Sequence, residues 1–373
     1  MSDSNRFQLW RLVPRHAVRL TAGAGQIPAA GLVARLLAAL FAALFAGAIA
    51  GGCAQSSEPG RTAASNATAI ASSASGFETP PYYRVEGGPG ATLLLLGTIH
   101  LGPKEGWKLS PAIESGIARA DKIALEIDLR LATEESVSTV VANVALLPPG
   151  TTLASVIAPE TAKLLLEEDE TVTRMGFPRP IRNRMKPWFI AVGLSESTYG
   201  ESGLSSKTAT EEQVLGALGL RPLISLETFE EQIRIFDELP PALQDLMLRD
   251  TVERLDEAEA EVAELVQAWR TGDEATLARL AREGIDELPE LDRFYDILLG
   301  DRNRRWVAKL RPLLEDREHH GETVLVAVGA LHLVGKDSLV EQLRVAGFRV
   351  EAIPQTKQSA RAVGDERPSR PRG

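Results

Sequence analysis

Two apolar runs stand out along the chain, Ala91-Thr-Leu-Leu-Leu-Leu96 and Thr323-Val-Leu-Val-Ala-Val328. Runs of this length, rich in branched side chains and lacking alternation, predict short strands buried on both faces. Each runs straight into the same phrase, Gly97-Thr-Ile-His100 and Gly329-Ala-Leu-His332. The glycines are expected to end the strands and turn the backbone, leaving both histidines just past the carboxyl ends, where open α/β sheets bind ligands. Ser110-Pro111 then opens a helix to about Ala120, with serine as N-cap and proline at the first helical position. Lys122-Ile-Ala-Leu-Glu-Ile127 follows as a second strand. The second phrase leads likewise to a helix near Ser338–Val345 and a strand near Phe348–Ile353, giving two β-loop-helix-β units on one plan. If their first strands run parallel as neighbours, both histidines face one edge of one sheet.

Between these units the pattern is mainly helical. Thr251–Trp269 alternates acidic with apolar residues at helical spacing, and Gly272 breaks it before a further helix at Glu274–Glu283. Its acidic face reads as solvated surface. Arg221-Pro-Leu-Ile-Ser-Leu-Glu227 reads as a short strand, after which Thr228 and Glu231 form a capping box. The predicted fold is α/β, a central mixed β-sheet flanked by helices with a helical middle region.

The N-terminal pattern differs. An apolar run, Leu36–Ala50, follows Arg6, Arg11, Arg15, Arg19 and Arg35, and ends in Gly51-Gly52-Cys53. A basic segment, an apolar segment and small residues at a cut site make a secretory signal. Ala50-Gly51-Gly52-Cys53 resembles a bacterial lipobox, with alanine where leucine is commonest, so Cys53 is the expected lipidation site. A retained membrane helix is the alternative, and the run is short for the roughly 20 residues of a span. The length of the basic segment leaves the true start codon open. Residues 54–76, rich in Ser, Ala, Thr and Gly, form a tether. Residues 77–355 form the folded α/β domain and 356–373 a disordered tail. The signal places that domain outside the cytoplasm, in the periplasm or another extracytoplasmic part of a bacterial cell envelope, held to the membrane by lipid or anchor.

Composition narrows function. With 373 residues and 44% hydrophobic content the chain can bury a sizeable core. Its net charge of −10 and 5% aromatic content argue against nucleic-acid binding. A single cysteine excludes an intrachain disulfide or a thiolate cluster.

Candidate chemistry then rests on a few residues. Of five histidines, His16 lies in the signal and His319 and His320 in a charged turn, leaving His100 and His332. Glu126, inside an apolar strand, must be paired, protonated or metal-bound if buried. Asp128, at that strand's end, is a weaker candidate. Glu227 falls where strand becomes helix, at the same sheet edge, whereas Glu231 is explained by capping. Arg302, Trp306 and Leu310 share one helical stripe, and an arginine there calls for a carboxylate, Glu126 or Glu227, or a substrate group.

The ordered set resembles the TraB/GumN family, related to the Tiki proteins. It comprises the paired Gly-x-x-His phrases, Glu126, Leu226-Glu227-Thr228 with Glu231-Gln232, Asp301-Arg302-Asn303, Lys186-Pro187-Trp188 and Phe236-Asp-Glu-Leu-Pro240. It spans about Tyr83 to Pro354. Gly203-Leu204-Ser205 departs from it, having serine where the family often has aspartate. The resemblance implies a fold similar to erythromycin-esterase and haem-uptake ChaN-like proteins, and a metal-dependent peptidase acting on a peptide or protein substrate. It implies His100 and His332 as metal ligands, Glu126 as ligand or general base, and Arg302 as oxyanion stabiliser; Glu227, at the same sheet edge, is a further candidate metal ligand. Two imidazoles and a carboxylate can hold Zn²⁺, Mn²⁺ or Co²⁺ with a position open for water. There is no His-Glu-x-x-His helix of the zincin kind. The alternative is a non-catalytic lipoprotein that sequesters a peptide or haem through the same histidines.

Overall fold

The computed structural model describes residues 76–131, 134–201, 204–282 and 290–356; the signal, Cys53, most of the tether and the tail lie outside them. A six-stranded mixed sheet organises the fold: β1 (Tyr82–Glu86), β2 (Thr92–Thr98), β3 (Lys122–Leu125), β4 (Leu223–Ser225), β5 (Thr323–Gly329) and β6 (Arg349–Ala352), in the order β4-β3-β5-β2-β1-β6. The four strands from β4 to β2 are mutually parallel, while β1 runs antiparallel to both β2 and β6. β2 and β5 are parallel neighbours in register from Thr92↔Thr323 to Thr98↔Gly329. The two Gly-x-x-His phrases therefore leave the sheet side by side.

Alternation along these strands builds two cores. Leu94 and Leu96 of β2, with Leu325 and Ala327 of β5, pack on one face. Leu93 and Leu95, with Val324, Val326 and Val328, pack on the other. Side chains alternate faces at every residue, so an apolar run with no polar interruption is what a doubly covered strand requires. Both faces are covered by helices, and the helical middle region packs on the larger core.

Most local signals act as read. Ser110 caps Pro111–Arg119, Thr228 and Glu231 close a capping box on Phe229–Asp237, and Gly272 stops a helix at φ +66°. Several boundaries differ. The long amphipathic pattern is two helices, Pro241–Glu253 and Ala258–Thr271, broken at Arg254–Glu257. Leu255 is the sole large apolar residue between Val252 and Val262, so little holds that stretch to the core. Arg254 instead folds back onto Glu257 and Glu261. The acidic face is also not all solvated, since Asp250 and Glu261 are buried.

Of the two phrase glycines, Gly329 ends its strand as expected, whereas Gly97 plays a different part. Gly97 lies within β2 and Gly329 ends β5, and neither adopts positive φ. At Gly97 a Cβ would sit 3.1 Å from Ala330 Cβ and 3.3 Å from the Pro81 carbonyl. Its small size lets the turn after β5 press onto β2.

Candidate functional site

Parallel strands about 4.8 Å apart set the site's spacing. β3 ends at Leu125, so Glu126 stands one residue past the strand rather than inside it. β4 ends at Ser225, and the pairing continues as Leu226 N–H donates to Leu125 O and Glu227 N–H to Glu126 O. After β5 a 3₁₀ turn, Ala330–Leu333, brings His332 back over the sheet edge. The Asp301–Glu315 helix crosses this edge with Arg302, Trp306 and Leu310 buried on one stripe. Arg302, Glu126, Glu227, His332 and His100 are each 5% exposed or less.

Arg302 is the hub. Its Nε–H donates to both Glu227 oxygens at 3.1 and 3.0 Å. Nη2 meets Glu126 Oε2 at 2.6 Å and Glu227 Oε2 at 2.9 Å. Nη1 donates to the Leu298 carbonyl at 3.3 Å and lies 3.0 Å from His332 Nε2. These contacts set each of the three guanidinium nitrogens against a carboxylate, carbonyl or imidazole acceptor. The Trp306 ring lies 4.8 Å from the guanidinium carbon. The sequence expectation that Arg302 pairs with Glu126 or Glu227 resolves to both at once. The guanidinium is thus committed to groups of the site itself in this arrangement.

The surrounding groups are equally engaged. Glu126 Oε1 accepts from the Gly329 N–H at 2.8 Å, and Oε2 accepts from Gln232 Nε2 at 3.1 Å as well as from Arg302. Arg305, more exposed, reaches Glu227 Oε1 at 3.3 Å. Burial would raise the Glu227 carboxyl, but the Arg302 charge and hydrogen bonds outweigh it and hold the group below the usual carboxylate range. His332 Nδ1 lies 2.7 Å from Asn303 Oδ1, and Asn303 Nδ2 donates to the Asp337 carbonyl. That fixes Asn303 as acceptor, so Nδ1 carries the proton and Nε2 accepts from Arg302. Burial first, then the Arg302 charge, push the His332 imidazole well below its ordinary value, so it stays neutral.

His100 stands apart, one strand along. Its Nδ1 is 2.9 Å from Glu211 Oε1, an ion-pair contact off the line of a straight hydrogen bond. Thr98 Oγ1 donates to the same carboxylate oxygen. Nε2 of His100 is buried and has no partner. Burial alone would lower this imidazole, but the Glu211 carboxylate against Nδ1, with help from Glu126, raises it above its ordinary value of 6.5 against opposition from Arg302. Glu211 shows the converse: burial would raise it, and His100 holds it low. Glu196, on the Pro187–Glu201 helix, is pushed up to about 7 by burial, with the nearby His100 charge opposing.

The structure thus brings Glu126, Glu227, Arg302 and His332 into one knot, with His100 beside it on Glu211. Asp128 is outside, paired with Arg130 near the surface. His319 sits in its turn against Lys122 and Glu322, and Cys53 lies outside the described residues. Reasoning from sequence did not single out Glu211, Glu196, Gln232 or Asn303. Glu211 begins a helix beside Glu212, where acidic residues ordinarily answer the helix dipole. Gln232 and Asn303 fell within quoted motifs, and their neighbours Glu231 and Arg302 carried the obvious explanations.

These residues do not fit the metal centre that the resemblance implies. The lone pairs of His332, Glu126 and Glu227 point at N–H donors, chiefly those of Arg302. Among the described residues no group of three His, Cys, Asp or Glu is placed to hold a metal ion.

The family model for TraB/PrgY/gumN matches residues 81–352. The chain is 27% identical over 257 residues to the uncharacterized protein YbaP of Escherichia coli (strain K12), covering 67% of this chain and 87% of that protein. YbaP of Shigella flexneri matches to the same extent. No solved structure matches the chain.

Proposed function

The chain belongs to the TraB/PrgY/gumN family, and from that premise we propose that it is an envelope-anchored hydrolase, acting on a peptide or protein, whose general base is His100. One observation carries this reading: a buried imidazole with one nitrogen on a carboxylate and the other unpartnered. A carboxylate set against one ring nitrogen steadies the imidazolium that forms when the other takes up a proton.

In the reaction so read, neutral His100 takes a proton from water at Nε2 as the water oxygen attacks the amide carbon. The imidazolium, held by Glu211, returns that proton to the nitrogen as the carbon–nitrogen bond breaks. The knot around Arg302 holds the edge beside it rigid. Because the base must be neutral, hydrolysis is expected to rise with pH through the raised His100 value, above 6.5. Glu211→Gln removes the charge that raises it and leaves burial to dominate. The ascending, acid-side limb should then move to lower pH, and the maximal rate should fall. A pH–rate profile of full-length wild type and Glu211→Gln tests this, and a limb that stays in place contradicts the dyad.

The location rests on the Ala50-Gly51-Gly52-Cys53 phrase. Cys53→Ser is expected to abolish incorporation of labelled fatty acid and to block processing at Cys53. Unchanged labelling in that variant would rule out lipidation there. Among the described residues no helix is long and apolar enough to cross a membrane.

A further inference from the structure

We propose that Arg302 is the resident cation of this site, its guanidinium standing where a divalent metal would stand between Glu126, Glu227 and His332. This inference does not depend on the hydrolase reading.

The three groups are good ligands by type, and their donor atoms converge on one centre: Glu126 Oε2 at 2.6 Å, Glu227 at 2.9 to 3.1 Å and His332 Nε2 at 3.0 Å from guanidinium nitrogens. What occupies that centre is a side chain. Two carboxylates face one guanidinium at the centre and a second, Arg305, at the margin, so the formal charges already balance. A divalent ion added among them would leave an excess of positive charge in a buried place, with like charges a few ångströms apart.

Further features hold the guanidinium in place. The Arg302 side chain rises from a helix whose next buried turns are Trp306 and Leu310, and the indole lies along the guanidinium. Its planar fork places separate N–H groups on two carboxylates and an imidazole, which a lysine ammonium cannot reproduce. The Asp337–Asn303–His332 chain turns the ring so that Nε2, the lone-pair nitrogen, faces Arg302. Beside the knot, His100, Glu211 Oε2 and Glu196 Oε1 also lack hydrogen-bond partners, but among the described residues no three His, Cys, Asp or Glu are placed to hold a metal ion.

The test uses full-length protein stripped with chelator and titrated separately with Mn²⁺, Co²⁺ and Zn²⁺, by calorimetry and by metal analysis after desalting. Wild type, His332→Asn, Arg302→Met and Arg302→Met/Glu227→Gln are compared, with circular dichroism to confirm folding. Wild type and His332→Asn are expected to retain no metal that depends on residue 332. Arg302→Met, with its three ligands freed, is expected to gain about one equivalent, and the added Glu227→Gln change should lose it. Should Arg302→Met not fold, Arg302→Gln takes its place. One equivalent in wild type that disappears in His332→Asn overturns the proposal. So does a folded Arg302 variant that gains no metal.

Discussion

Replacing His100 with glutamine is expected to lower hydrolysis by about 10²–10⁴-fold, the range for loss of a general base. Glutamine suits the test better than alanine. Its amide N–H can still face Glu211 Oε1, which the imidazole meets at 2.9 Å in a buried place. Alanine would leave that buried carboxylate with Thr98 Oγ1 alone and no cation, and breaking one half of a buried ion pair costs about 3–5 kcal/mol. Glutamine cannot take up a proton near neutral pH. Loss of rate with an unchanged urea midpoint would therefore assign a chemical role to the ring. Loss of rate together with a collapsed midpoint would assign a structural one.

The largest effect on stability is expected at Arg302. Arg302→Met removes the donors on which both Glu126 and Glu227 rest, and the destabilisation should reach about 3–5 kcal/mol for an uncompensated buried charge. Glu126→Gln/Glu227→Gln in the same background should recover much of it, because a neutral amide costs less to bury than a carboxylate. Non-additivity of this kind is the signature of groups sharing one network. Urea denaturation of the single, double and triple variants measures it. Divalent metal should also raise the Arg302→Met midpoint and leave wild type unmoved, since a ligand that binds only the folded state stabilises it by mass action. Strict additivity across the series would mean that Arg302 does not bind the carboxylates together.

Much of this arrangement could be read from the sequence, for identifiable reasons. The runs before Gly97 and Gly329 are long and apolar enough to be nothing but doubly buried strands, and their parallel pairing follows from the repeated unit. Ser110, Thr228 and Gly272 each act locally, so no tertiary contact was needed to place them. The burial of Arg302 followed from its sharing a stripe with Trp306 and Leu310. The partners were harder to see. Glu211 meets His100 across 111 residues of chain, and Gln232 meets Glu126 across 106. Nothing in local spacing separates Glu211 from Glu212, although the fold buries the former more deeply. A glycine can serve either a turn or a close approach, and pattern alone does not tell which: Gly329 ends its strand before a turn, whereas Gly97 permits a close approach within one. The break at Arg254 was hidden because its polar residues continue the helical rhythm while lacking an apolar stripe.

The account stands most directly on hydrolysis by full-length protein freed of metal by chelator, measured with a peptide library across pH values on both sides of 6.5, beside His100→Gln. Cleavage that persists without metal, rises through one limb above 6.5 and vanishes in His100→Gln is the result expected. Cleavage that stops with chelator and returns with a divalent ion, or that continues unchanged in His100→Gln, would contradict it.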